Sequence, residues 1–331
     1  MTDKKERSSK RVRLCARLSA IALSASLIIS IFGGTSSATE AKKTDTGHSQ
    51  DVPSYAMATD KRYVGNHGTL SYNLPGIPSR SIYSYPQLTA YVGGVRLSEP
   101  GLTVNGITYL PLRSAADAVS GLGMSYNSSS KTATLTANGL YATVSDGGYV
   151  TYANGRALFS FSPAIVMSNG RMYIPASAFT RATGMSFTQT GDTVRVSGNL
   201  RPITEASKYY REDEVFWLAR IIHAESAGEP LLGQMAVGNV ILNRVRSTAY
   251  PNTIYGVIFD RRYGVQFSPI LNGSIYNTPS YTSRLAAMIC LEGTLLSEEV
   301  LFFLNPVESE SSWIVKNREY AYTILNHDFY K

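Results

Sequence analysis

One run constrains this 331-residue chain more than any other: Ala219-Arg-Ile-Ile-His-Ala-Glu225-Ser-Ala-Gly-Glu229-Pro230. Val215, Leu218, Ala219 and Ile222 recur at helical spacing, which makes one apolar face. Glu225 falls where that helix should stop, just before the Ser-Ala-Gly breaker. Pro230 stands where a second helix can open, with Leu232, Ala236, Val240 and Asn243 repeating behind it. The spacing predicts a carboxylate at the junction of two packed helices, rigidly held and partly desolvated. Desolvation raises a carboxyl pKa, and a raised pKa lets an acid hold its proton near neutrality, as a general acid must.

Further pieces follow in order. They are Gly233-Gln-Met-Ala-Val-Gly-Asn-Val-Ile-Leu-Asn243-Arg244-Val245, Tyr250-Pro-Asn-Thr-Ile-Tyr-Gly-Val-Ile-Phe259, and Gly264-Val-Gln266-Phe267-Ser268-Pro269. Phe302-Phe-Leu-Asn305-Pro306 and the terminal Asn326-His327-Asp328-Phe329-Tyr330 close the series. Together with His223-Ala-Glu225-Ser-Ala-Gly-Glu229, the stretch from about 213 to 331 resembles the SleB-type cell wall hydrolases. The resemblance implies a mostly helical, lysozyme-like domain that cleaves peptidoglycan glycan strands, with Glu225 as the catalytic acid.

The N-terminus reads as a leader. Lys4, Lys5, Arg7, Lys10, Arg11, Arg13 and Arg17 precede an apolar stretch over 18–32 that is short for a membrane span. Ser36-Ser37-Ala38 offers a small-x-small cleavage site, so 1–38 is expected to be a secretory signal peptide; the rival is an uncleaved anchor. Within 1–38 these seven bases face only Asp3 and Glu6, so five of the chain's seven net positive charges belong to the leader. The remainder shows no basic patch of the kind nucleic acid requires. After cleavage only Cys290 remains, in a helical apolar pattern that suits a buried thiol.

Residues 39–86 are rich in Ser, Thr, Asp, Gly and Pro without a sustained period, and read as a disordered linker. From 87 to 199 short alternating strands carry an internal repeat. Asn105-Gly-Ile-Thr-Tyr-Leu-Pro111 leads through a short helical stretch to Gly123-Met-Ser-Tyr126. Asn169-Gly-Arg-Met-Tyr-Ile-Pro175 leads in the same way to Gly184-Met-Ser-Phe187. Each copy reads turn, strand, Pro, short helix, Gly, strand, and the Asn-Gly pairs favour tight hairpin turns. The unit resembles the copper amine oxidase N-terminal-like repeat domain. It contains no His, so it is not expected to hold copper. It is expected to act as a spacer or to attach the protein to the cell surface. Carrying no acid–base constellation, it is expected to be dispensable for chemistry. Beyond a hinge over 200–210, helical patterns cover about 212–224, 230–246 and 283–291, and 261–280 reads as loop or short hairpin.

Glycan cleavage needs a proton donor to the leaving oxygen and something to stabilise the oxocarbenium-like centre. Glu225 is the donor candidate. For a second carboxylate the candidates are poor: Glu229 suits the start of the next helix, Asp260 a charged turn with Arg261 and Arg262, and Glu308 and Glu310 a polar loop. That points to a lytic transglycosylase, in which the substrate's N-acetyl and 6-hydroxyl groups replace the second acid. Simple hydrolysis is the alternative. Gln266, Phe267, Ser268 and Asn305 are the candidate substrate-binding residues, an amide and an aromatic ring being suited to a sugar's N-acetyl group and face; Phe267 fits a core position equally well. Trp313 and Tyr322 are candidates for stacking on sugars. His327 and Tyr330 read as tail-docking residues, and Asn243 and Arg244 as members of a buried supporting network or as substrate contacts. There is no His-Glu-x-x-His, no Pro-Cys-x-x-Cys after His223-x-Glu225, and no Gly-x-Ser-x-Gly. No metal or cofactor is expected.

The sequence thus predicts an α+β protein, a small β-rich repeat domain followed by a mostly helical lysozyme-like domain over 212–331. The expected partner is the peptidoglycan glycan strand, reached by an exported protein without a stable membrane span in the cell wall or spore envelope. The rival from another class is a non-catalytic wall-binding protein.

Overall fold

A computed structural model describes residues 55–56, 74, 76–262, 264–307 and 313–331. The leader, most of the linker, and Glu308 and Glu310 lie outside the described residues.

The two repeat copies have the same element order. In the first, β5 (Ile107–Pro111) leads to α1 (Leu112–Asp117), β6 (Gly123–Asn127) and β7 (Thr132–Ala137). In the second, β12 (Met172–Pro175) leads to α2 (Ala176–Thr183), β13 (Ser186–Thr190) and β14 (Thr193–Ser197). The copies meet along β5 and β12, which pair antiparallel with Leu110 opposite Ile174. Pro111 and Pro175 each end a strand and cap the following helix. Proline suits that boundary, because its missing N–H has no role in the first helical turn.

Past the helices the copies diverge. β6 and β7 continue through β8 (Leu140–Ser145), β9 (Val150–Ala153) and β10 (Arg156–Phe159) as a five-stranded antiparallel meander. β14 instead joins β2 (Gln87–Val92) in parallel. Asn105-Gly106, both at positive φ (50° and 77°), make the two-residue turn that the sequence predicts. In the second copy only Gly170 is left-handed, and the loop from Met167 to Arg171 is longer. The matching tight turn is Asn154-Gly155, between β9 and β10.

A short α3 (Ala206–Tyr209) connects to the helical part. There α4 (Glu212–Ser226) and α8 (Tyr281–Leu291) flank α5 (Leu231–Arg246), which is buried almost all round from Leu232 to Arg244. A helix buried on every side, with its few polar side chains hydrogen-bonded inward, belongs in the middle of a core. Gly238 permits the close packing: a Cβ there would lie 2.8 Å from Cys290 Sγ on α8 and 2.9 Å from Ile222 Cδ1 on α4. Cys290 is buried, as its helical pattern suggests.

The short helix α7 (Ser268–Asn272) lies in the stretch read as loop or short hairpin, and α6 (Ile254–Ile258) and α9 (Trp313–Asn317) lie where no helix is predicted. Pro269 at the start of α7 and left-handed Gly273 at its end bound one turn of helix that is too short to show a period. The chain closes in a three-stranded antiparallel sheet: β16 (Phe302–Leu304), β18 (His327–Tyr330) in the centre, and β17 (Tyr320–Ile324). Within the expected linker, Tyr55–Ala56 pair in parallel with Thr294–Leu295.

The β-rich and helical parts share a core. Ala157 and Phe159 of β10 are buried in the helical cluster, and Tyr149, Tyr152 and Phe161 pack against it. Arg156 crosses the same boundary to Glu292, whose side chain is fully buried after α8. Arg181 from α2 and Tyr210 bond the same carboxylate, and the Tyr209 ring lies 3.2 Å from the Arg156 guanidinium carbon.

Candidate active site

Glu225 sits half-buried in the last turn of α4, where the motif spacing predicts the end of the helix. The elbow beyond it is fixed from several sides. Ser226 Oγ donates to Ile222 O at 2.7 Å, and Glu229 N donates to Ser226 O at 2.9 Å. Gln234 in the first turn of α5 donates its side-chain amide to Glu229 O at 2.9 Å and accepts from Ser283 Oγ of α8 at 2.8 Å. His223 Nδ1 accepts from Ser280 N at 3.4 Å. The acid is therefore carried on a turn tied to all three main helices.

Glu229 does not face solvent. It is 6% exposed, and its Oε1 accepts from Asn326 Nδ2 at 3.0 Å and lies 3.2 Å from His327 Nδ1. This joins the tight turn of the β17–β18 hairpin to the elbow and gives His327 a tail-docking role. Asp260 is clasped by Arg262 (Nη2 to Oδ2, 2.9 Å), and those bonds hold its carboxyl below the usual range. Asp260 is thus paired, whereas Glu229 keeps its second oxygen, Oε2, buried with no hydrogen-bond partner among the described residues.

Gln266 and Ser268 are exposed, whereas Phe267 between them is buried, its ring stacked near Phe303 with centroids 6.5 Å apart. Of the two readings of Phe267, the structure gives the core position. Asn305 is half-buried, and its Oδ1 accepts from Val307 N at 3.1 Å, turning the chain after β16. Trp313 is exposed beside Phe302 and Arg318. Tyr322 is buried, and burial pushes its hydroxyl pKa up; it is a core residue rather than a stacking platform.

Asn243 belongs to the supporting network, donating to Ser297 O and Val300 O at 2.9 Å each. Asn239, which the sequence reading passes over, does the same one turn earlier. It donates to Thr294 O at 2.9 Å and accepts from Leu296 N at 2.8 Å. The available signal was the spacing: polar residues at i and i+4 inside an otherwise apolar helix.

Arg244 is different. It is 6% exposed and donates Nε to Leu301 O at 2.8 Å. The rings of Tyr250, Phe267 and Phe302 surround its guanidinium carbon at 5.1, 5.4 and 5.6 Å. Burial pushes the guanidinium pKa below its ordinary value, against the opposing charges of Tyr250, Asp260 and Glu225. One buried cation thus gathers rings from three further motifs.

Residues 228–330 match the family described as Cell Wall Hydrolase, a span that opens just after the helix carrying Glu225. A spore cortex-lytic enzyme of Bacillus cereus is 39% identical over 111 residues, 34% of this chain and 42% of that protein. One from Bacillus subtilis is 37% identical over 105 residues, 32% of this chain and 33% of that protein. The solved catalytic domain of a germination-specific lytic transglycosylase, SleB from Bacillus anthracis, is 37% identical. The match covers 97% of that domain and 37% of this chain, with a TM-score of 0.34. The C-terminal part of this chain belongs to the cell wall hydrolase family. Residues 92–197 match the copper amine oxidase N-terminal domain, so both resemblances read from the sequence hold. The chain spans less than half the length of these curated relatives.

Proposed function

We propose that this cell wall hydrolase domain cleaves the peptidoglycan glycan strand between N-acetylmuramic acid and N-acetylglucosamine, with Glu225 as its single acid and base. The observation that carries this is the placement of Glu225. It is a half-buried carboxylate on a helix elbow braced from α5, α8 and the C-terminal hairpin, three residues ahead of the matched family span, in a part of the chain whose relatives are named spore cortex-lytic enzymes.

The chemistry balances without a second acid. Glu225 gives its proton to the glycosidic oxygen as the C1–O bond breaks, and the substrate's N-acetyl group shields the cationic C1. The sugar's 6-hydroxyl oxygen then bonds to C1, and its proton passes to the Glu225 carboxylate. No water is consumed, and the product ends in a 1,6-anhydro ring. The pairing of Asp260 with Arg262, and the burial of Glu229 against Asn326, favour this lytic transglycosylase route over simple hydrolysis.

Export belongs to the same proposal. The leader read at 1–38 carries the chain out to the cell wall or spore envelope, and the repeat domain over 87–199 contributes surface attachment. Among the described residues no helix is long and apolar enough to cross a membrane. Glu225→Gln keeps the side chain's shape but has no proton to give, so lysis of purified peptidoglycan should fall at least about a hundredfold. Near-normal turbidity loss from that variant rejects Glu225 as the acid, and the wild-type protein binding walls without lysing them would make it a wall-binding protein.

A further inference from the structure

Phe216, Tyr255 and Tyr276 are large rings that the helical part leaves in water, 43%, 54% and 63% exposed. They are not scattered. Each has Trp217 as a neighbour, with ring centroids 5.0, 5.4 and 6.4 Å from it, and all three meet it edge to face. Trp217 itself is half-buried, as is Phe259, whose ring lies 5.1 Å from it. Single exposed rings are ordinary, but a contiguous apolar patch marks a surface that meets something else. Three elements build this one: Phe216 and Trp217 in the second turn of α4, Tyr255 on α6, and Tyr276 in the turn after α7.

The rim of the patch is polar. Arg220 lies over the Phe216 ring at 4.2 Å and spends Nη1 on the carbonyls of Tyr276 and Asn277, which leaves Nη2 as a donor. Glu212 and Asp213 line a shallow depression of about 500 Å³ together with Phe216 and Trp217. Asp213 is paired with Arg211 at 3.0 Å, and Glu212 has no ion-pair partner among the described residues. These acids disfavour a phosphate-rich polymer or an anionic membrane surface. A sugar chain fits both halves of the surface. The C–H face of a pyranose ring is apolar and lies flat on the electron-rich face of an aromatic ring. Its hydroxyl and acetamido groups take the donors and acceptors that Arg220, Glu212 and the tyrosine hydroxyls present.

We propose that Trp217, Tyr255 and Tyr276 form a second saccharide site, a platform that holds an N-acetylated glycan strand away from the candidate acid. This rests on the reading of the domain as a glycan-cleaving enzyme and adds where else its polymeric substrate is held. Trp217 precedes Glu225 by eight residues on α4, a rise of about 12 Å along the helix. Peptidoglycan presents many sugars at once, so a strand held at one place supplies the other at a high effective concentration.

The test is a fluorescence titration of the full chain, carrying Trp313→Phe and Glu225→Gln, with the β-1,4-linked tetramer of N-acetylglucosamine. Trp217 and Trp313 are the chain's two tryptophans, so the first change leaves Trp217 as the reporter. The second keeps the tetramer intact. Trp217 emission should change saturably, and Tyr255→Ala and Tyr276→Ala should each weaken binding about tenfold. Emission that stays flat overturns the proposal, and so does a response that neither alanine variant weakens. Emission that changes instead with protein concentration makes the patch an interface between copies, which also overturns it. If the alanine variants do not fold, the parent titration still decides, a saturable change supporting the site and a flat one overturning it. Failure of the functional reading is separate. Binding at Trp217 by a wild type that lyses nothing refutes the activity and keeps the saccharide site, whereas lysis with flat Trp217 emission keeps the activity and removes the site.

Discussion

Arg156 of the β-rich part holds Glu292 of the helical part with two parallel hydrogen bonds, Nε to Oε1 and Nη2 to Oε2, each 2.8 Å. The Glu292 side chain is fully buried and that of Arg156 nearly so. Burial alone would push the Arg156 guanidinium down, but the bonds and charge of Glu292 outweigh it and leave its pKa raised. Breaking one side of a buried pair strands the other charge, at a cost of about 3–5 kcal/mol. Glu292→Gln should therefore destabilise the whole protein by an amount of that order in urea unfolding. A loss under about 1 kcal/mol would mean that water reaches Arg156.

The same boundary bears on the repeat domain. The sequence makes it dispensable for chemistry, yet Ala157 and Phe159 sit in the helical core and the 202–331 stretch loses that cover when separated. A fragment of 202–331 should melt well below the full chain in circular dichroism. Equal melting temperatures would show that the helical part is self-sufficient.

Asn239 and Asn243 pin the segment over 294–300 to α5 through buried side-chain bonds. Alanine at Asn243 leaves two buried carbonyls unanswered, each costing about 1–3 kcal/mol. Asn243→Ala should unfold at clearly lower urea without altering the pH profile of any remaining lysis. A shifted pH profile would place Asn243 in the chemistry instead.

Glu99 gives a pH dependence. Its bond from Ser114, with those from Ser98 and Arg171, outweighs burial and holds its carboxyl at about 2 rather than 4.5. A carboxylate depressed in the folded state stabilises above its ordinary pKa and loses that contribution as pH falls toward the folded value. The stability gap between wild type and Glu99→Gln should thus be full at pH 6 and close between pH 4.5 and 2. Thermal melts across that range check it; a gap independent of pH contradicts it.

How much of this was legible in the letters depended on what kind of signal each feature makes. The α4–elbow–α5 unit was plain, because its apolar period, its breaker and Pro230 agree, and the observed helices end within two residues of the expected bounds. The repeat was plain as a recurrence. Its pairing across β5 and β12 was not, since register is a long-range property. The helices α6, α7 and α9 have five residues each, less than two turns, so no period could reveal them. Arg244 stood in a quoted motif, yet its isolation from carboxylates exists only once Tyr250, Phe267 and Phe302 have folded around it. Glu292 carried no local signal at all, its partner lying 136 residues away.

The central claim is that Glu225 works without a second carboxylate and lets the substrate's own hydroxyl finish the reaction. Mass spectrometry of muropeptides released from purified peptidoglycan by the full chain tests it most directly. The account predicts glycan ends that weigh one water less than hydrolytic ends and resist borohydride reduction, the mark of a 1,6-anhydro ring. A digest containing only reducible ends would contradict it and make Glu225 the acid of an ordinary glycosidase, with a water-activating partner still to be found.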